Sequence, residues 1–175
     1  MSIAITFFAN IVIFGQKTQT MTNIYDKILR DARVRLTSMF DNNFREQGFF
    51  GNKWVATKVP KINKAGKRGS ILIVTGALRR SIRSHIRNNS VVFTSHLPYA
   101  SVHNEGGKGC VTVRRHNRTS SKGKSFAVRS HARAVNIPQR QFIGDHDKVQ
   151  QALGDIVRKN LQKFSENLVK KSMNK

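Results

Sequence analysis

The stretch ILIVTGALRRSI, Ile71 to Ile82, decides how the middle of this chain is read. Ile71, Leu72, Ile73 and Val74 are four consecutive apolar residues, mostly β-branched, and predict a short buried strand. Thr75-Gly76 then changes the structure. The Thr75 hydroxyl can accept from the free amide of Leu78 or a neighbour and so cap a helical turn that carries Leu78 and Ile82 on one face. Local physics alone makes this an ordinary strand-to-helix turn, and it becomes informative only beside the segments around it.

On the N-terminal side, Ile24, Ile28, Leu29, Ala32, Leu36, Met39, Phe40 and Phe44 recur at three and four, which predicts one long amphipathic helix over 23–47. Asn23 is its expected cap and Gly48 its stop. Phe49-Phe50-Gly51-Asn52 and Trp54 follow as aromatics around a turn, and Trp54 is expected to anchor the loop on the core rather than stack on a ligand. On the C-terminal side, Ser84 to Ser95 alternates as a hairpin turning at Asn88-Asn89, with Ile86, Val91 and Phe93 facing one core and Arg87 and Thr94 outward. Pro98 ends it, and Tyr99 to Glu105 forms a short helical segment closing on Gly106-Gly107. Cys110 to Arg114 reads as a strand, Arg115 to Lys124 as a basic Ser-rich loop, and Phe126 to Arg129 as a returning strand. A last helix over 148–173 presents Val149, Leu153, Ile156, Val157, Leu161, Phe164 and Leu168. The fold class is α+β, an antiparallel β-sheet bracketed by long N- and C-terminal helices and carrying flexible basic loops.

Charge bounds the partners. The chain has 32 Lys or Arg against 9 Asp or Glu, a formal +23, and between Gln47 and Gly144 only Glu105 opposes 19 Lys or Arg. Such an excess calls for a polyanion, an acidic protein surface or a subunit arrangement that spaces it out. The basic loop Lys58, Lys61, Lys64, Lys67, Arg68 and the second group Arg114, Arg115, Arg118, Lys122, Lys124 are the candidate contacts with DNA or an acidic partner. At 38% apolar residues the chain is too hydrophobic for a disordered basic tail.

Residues 1–20 stand apart from the expected single domain, 21–175. Ser2 to Gly15 is apolar but too short for a comfortable membrane span and lacks a secretory leader's basic start and cleavage site, so no membrane partner is expected. Two readings remain open: a start assigned too far upstream, with Met21 the working one, or an apolar arm that docks on a neighbouring subunit. The lone Cys110 excludes an internal disulfide and fits a reducing compartment.

Enzymatic chemistry finds little support. His103, Cys110 and His116 do not have the paired short spacings of a zinc site, and His103, Asn104 and Glu105 are adjacent, so a strand could not aim all three at one ion for a nuclease. There is no Gly-x-Ser-x-Gly elbow, Cys110 has no evident base, and phosphate-cradling glycine loops are absent. No catalytic residue, metal or cofactor is expected.

Four separate motifs nevertheless fall in one order: Gly51-Asn52-x-Trp54; Leu72-x-x-Thr75-Gly76-x-Leu78-x-x-Ser81-Ile82; Tyr99-Ala100-x-x-His103-Asn104-x-Gly106-Gly107; and Ile137-Pro138-x-Arg140-x-Phe142-Ile143-Gly144. Together, over about Asn23 to Leu168, they resemble the phage virion morphogenesis (tail completion) family of Mu-type and related tailed phages and prophages. The resemblance implies a non-enzymatic virion protein, assembled in the bacterial host cytoplasm. It would act at the head-tail junction beside other neck, connector or tail proteins, as a homo-oligomeric ring around double-stranded DNA. It also implies structural roles: Thr75-Gly76 and Gly106-Gly107 set turns, Trp54, Tyr99 and Phe142 anchor loops, and His103 and Asn104 satisfy backbone groups. Arg140 would reach a carboxylate here or on the next subunit. The basic Arg115 to Lys124 insertion and the apolar leader depart from the family pattern. The alternative is a sequence-nonspecific nucleic-acid-binding protein acting through its basic loops; a small metal-dependent nuclease relying on His103 is a third reading.

Overall fold

A computed structural model describes residues 3–5, 19–56 and 70–173. Its spine is helix α1, Gln19–Glu46. It starts ahead of the expected Asn23 cap because nothing from Gln19 to Thr22 breaks a helix. Ile24, Ile28, Leu29, Ala32, Leu36, Phe40 and Phe44, the predicted stripe, are all buried. Gln47, with positive φ, ends the helix. Elements enclose α1 from several sides.

A three-stranded antiparallel sheet packs along it, in the order β1 (Ile3–Ile5), β5 (Ser90–Ser95), β4 (Arg83–Arg87). The β4–β5 hairpin turns at Asn88-Asn89, both at positive φ as a tight two-residue turn requires. Val91 and Phe93 are buried as expected. Ile86, directly opposite Val91, is instead 38% exposed, because β4 is the outer strand of the sheet. The backbone of β1 lies against β5 with Ile5 opposite Phe93, so this part of the leader pairs within its own chain.

The expected strand at Ile71 to Val74 is a turn. Leu72 takes positive φ and the Ile73 amide bonds Ser70 O, so the segment lays Ile71, Leu72 and Ile73 over the core without pairing. Burial of apolar side chains is what the sequence pattern reports, and a cover loop satisfies it as well as a strand. The helix that follows, α2 (Ala77–Ser81), is capped by Gly76 at φ 69°, while the Thr75 hydroxyl accepts from Ala77 N at 3.3 Å rather than from Leu78. Leu78 is buried and Ile82 packs on the core.

A two-rung hairpin, β2 (Gly48–Phe49) and β3 (Asn52–Lys53), follows α1, and α3 (Ala100–Glu105) follows the main sheet. The chain closes with α4, Asp147–Met173. Val149 and Leu153 are buried, but Leu161 and Leu168 of the predicted stripe are exposed. At that level the buried residue is Asn160, whose carboxamide donates to Asp31 of α1 at 3.0 Å and to Ile156 O at 2.9 Å. Among the described residues no helix is long and apolar enough to cross a membrane.

The sheet and helices are joined by aromatic edges. Phe40 meets Phe93 of β5 at 5.0 Å and Phe50 at 6.2 Å between ring centroids; one turn on, Phe44 meets Trp54 at 5.7 Å and Phe142 at 5.0 Å. Phe40→Ala should therefore cost about 3–5 kcal/mol, the usual loss for emptying a buried aromatic site, read as a lower midpoint in urea with an unchanged slope.

Candidate interaction site

Several motif residues, distant in sequence, converge on the segment 138–144. This segment is extended and irregular, so its backbone polar groups need partners from elsewhere. Asn104 of α3 supplies two: its Oδ1 accepts from Phe142 N at 3.0 Å and from Ile143 N at 3.1 Å. Asn43 of α1 supplies the opposite polarity, its Nδ2 donating to Phe142 O at 3.1 Å while its Oδ1 accepts from Phe50 N at 3.1 Å. The Trp54 indole donates to Gln141 O at 2.7 Å. Arg140 N donates to His103 O at 2.8 Å. Gly106, at φ 80°, lies so close to this segment that a Cβ there would stand 3.0 Å from Gln139 N. Pro138 is half-buried where the segment begins, and Ala100 and Phe142 are buried in the core beneath it.

Within this junction lies an unbalanced charge. Arg140 is only 6% exposed, and its Nε donates to Val55 O at 3.2 Å. No Asp or Glu pairs with it among the described residues, which contain all the acidic residues of the chain. The expected carboxylate within this chain is thus absent. Burial lowers the Arg140 pKa. His103 is lowered below its ordinary 6.5 first by burial and then by the Arg140 charge. Its Nδ1 is buried without a hydrogen-bond partner, so the histidine's backbone oxygen, not its ring, serves the neighbouring segment. Tyr99, half-open to solvent, meets the imidazole edge-on at 5.9 Å.

The other motif residues lie elsewhere. Gly51 and Asn52 form the exposed tip of the β2–β3 hairpin. Thr75 and Gly76 start α2, where Arg79 makes a two-point ion pair with Asp41, Nη2 to Oδ2 at 2.6 Å, which lowers the Asp41 carboxyl and raises the guanidinium. Sequence reasoning overlooked two residues here. Asn43 was legible as a polar residue on the apolar stripe between Phe40 and Phe44; Asp41 carried no signal before α2 was placed.

Beyond Gly106 the chain runs into a ribbon. Strand β6 (Gly107–Val113) pairs antiparallel with β9 (His131–Ile137), and β7 (His116–Thr119) with β8 (Ser125–Val128). Two residues separate the pairings on each strand, so no register is lost and the four strands make one hairpin, turning through Ser120–Lys124. The predicted basic loop at Arg115 to Lys124 is accordingly strand over His116–Thr119 and turn from Ser120 to Lys124, because Asn117 to Thr119 finds its cross-strand partners in Ser125 to Ala127. At the interruption, His116 Nδ1 lies 2.9 Å from Arg114 O and His131 Nδ1 lies 3.0 Å from Arg129 O, occupying carbonyls that the ladder leaves free. Arg114, Arg115, Arg118, Lys122 and Lys124 are all exposed on this ribbon, together with Lys108, Arg129 and Arg133, which the sequence reading did not single out. The other basic group, Lys58, Lys61, Lys64, Lys67 and Arg68, lies outside the described residues. His103, Cys110 and His116 do not gather: among the described residues no three His, Cys, Asp or Glu side chains are placed to share an ion.

A family model described as the phage virion morphogenesis family matches residues 14–162. The chain belongs to that family. The match begins ahead of α1, takes in the junction and the whole ribbon, and stops within α4, so membership rests on the assembled body together with its arm. The family places the protein in the building of a phage virion. No curated protein and no solved structure matches the chain.

Because folding depresses the His103 pKa, the unfolded chain takes up a proton there more readily. Stability from this group is present above pH 6.5 and is lost as pH falls through the lower folded value. The melting temperature should fall as pH drops below 6.5, and His103→Gln should flatten that fall. Asp31 and Asp41, both lowered from 3.8, keep their contribution above 3.8 and lose it only as pH falls below that, so they do not account for a fall that begins at 6.5. Asn104→Ala should destabilise by at least about 2 kcal/mol in chemical denaturation, because it strands two buried amide donors at once.

Proposed function

We propose that this family member is a tail-completion subunit of the virion neck, a non-enzymatic protein that joins head to tail as a homo-oligomeric ring. Family membership supplies the virion role. The observation that carries the finer reading is the exposed ribbon from Gly107 to Ile137. A lone two-stranded ribbon is at best marginally stable in water, and each outer edge offers unpaired amides and carbonyls. Val111, 55% exposed, and Phe126, 48% exposed, add uncovered apolar surface to it. Such an arm suits a protein completed by its neighbours. The rigid body, α1 with its sheet and the 138–144 junction, would form the ring wall, and the arms would engage adjacent copies or neighbouring neck, connector and tail proteins.

Charge opposes self-association, since each copy brings +23. Added salt shortens the Debye length from about 10 Å at 0.1 M to about 3 Å at 1 M and weakens that repulsion. The test is light-scattering mass at low and high salt for chains beginning at Met1 and at Met21. The expected result is one closed oligomer, favoured by salt. A chain that stays monomeric with its virion neighbours present, together with phage lacking it that still joins heads to tails, would overturn the proposal.

A further inference from the structure

The ribbon carries a second inference, which adds a partner to the assembly reading and does not depend on the ring. Between Gly107 and Ile137 the chain has eight Lys or Arg and no Asp or Glu. At about 3.3 Å per residue, the paired strands extend roughly 40 Å from α3. Nearly every residue on the arm is exposed or half-exposed, so its charge is neither neutralised nor buried by the body.

The distribution of that charge selects the partner. In β6–β9, Lys108 pairs with Asn136 and Arg133 with Val111, rungs of opposite parity, so the two cations leave opposite faces of the ribbon. An arm lying flat on an acidic protein would gather its cations on one face. Cations on both faces fit an anion that rises on both sides. A second copy of this chain, which the arm's free edge and apolar side chains can still engage, cannot neutralise its cations: it has nine Asp or Glu, of which Asp31, Asp41 and Asp155 are already ion-paired within their own chain.

We propose that the Gly107–Ile137 ribbon is a DNA-contacting arm that enters a groove of duplex DNA edge-on, its two faces towards the two phosphate walls. The dimensions agree: a two-stranded ribbon with its side chains is about 10 Å thick and the major groove about 12 Å wide. The contacts are to phosphates, so binding is indifferent to sequence. Cys110, the chain's single cysteine, is exposed on β6 and provides a reporter on the arm itself.

The test uses the full chain labelled at Cys110 with an environment-sensitive dye and a 30-base-pair duplex of arbitrary sequence (length chosen as about three helical turns). The duplex should change the dye signal, with affinity falling steeply as salt rises. The triple variant Arg114→Ala, Arg115→Ala, Arg118→Ala should bind more weakly and make the slope of log K against log salt shallower by about 2 to 3, since each lost phosphate contact removes about 0.9. Lys159→Ala with Lys163→Ala on α4 removes basic charge from the body and should leave that slope unchanged. Unchanged melting temperatures would show that the variants fold. Three results would overturn the proposal: a silent dye while DNA binds; equal loss of slope in the α4 variant, which means diffuse charge; or ribbon-dependent capture of poly-glutamate without capture of the duplex, which means an acidic protein partner.

Discussion

Two buried carboxamides hold this molecule together. The segment 138–144 crosses the core without regular structure, and a backbone in that position is costly unless every amide and carbonyl finds a partner. Asn43 and Asn104 approach it from two different helices and satisfy Phe142 and Ile143 from both sides. Asn43 also holds Phe50, so α1, the hairpin after it, α3 and the 138–144 segment are tied through two side chains. Phe142 can then enter the core against Phe44, and α4 leaves the junction in a fixed direction. Apolar burial drives the collapse, but the carboxamides determine which irregular segment fills which place.

The junction also decides where the arm stands. Gly106 ends α3 beneath the backbone of Gln139, so the two ends of the ribbon, Gly107 and Ile137, start beside each other from a rigid base. The ribbon has no core of its own. Its geometry relies on that anchorage, on continuous register, and on two histidine rings that occupy the carbonyls exposed at its interruption. The result is a packed base bearing an uncovered, strongly basic arm.

The Arg140–His103 pair belongs to the same junction and works against stability. A guanidinium sheltered from water with no carboxylate beside it costs free energy, and its field makes protonation of His103 less favourable. By contrast, Arg79 and Asp41 form a compensated pair across α2 and α1. The chain's carboxylates are few; two of them, Asp41 and Asp31, join α1 to α2 and to α4, and none neutralises the junction or the arm.

Periodicity and composition alone determined the two long helices, the Asn88-Asn89 hairpin, the anchoring of Trp54, the α+β class and the basic excess. These follow from local spacing and chemistry, and the ordered motifs added the family. Tertiary structure decided the rest, because the rest depends on residues far apart in sequence. Ile71 to Val74 is apolar whether it pairs as a strand or covers a core, and only the packing made it a cover. Arg115 to Lys124 looks like a loop until Ser125 to Val128 supplies its cross-strand partners. Asn43 is one polar residue on an apolar stripe until Phe142, ninety-nine positions later, places a carbonyl against it. Helix and turn signals act within a few residues of chain, whereas a buried hydrogen bond or a strand pairing exists only once distant segments meet.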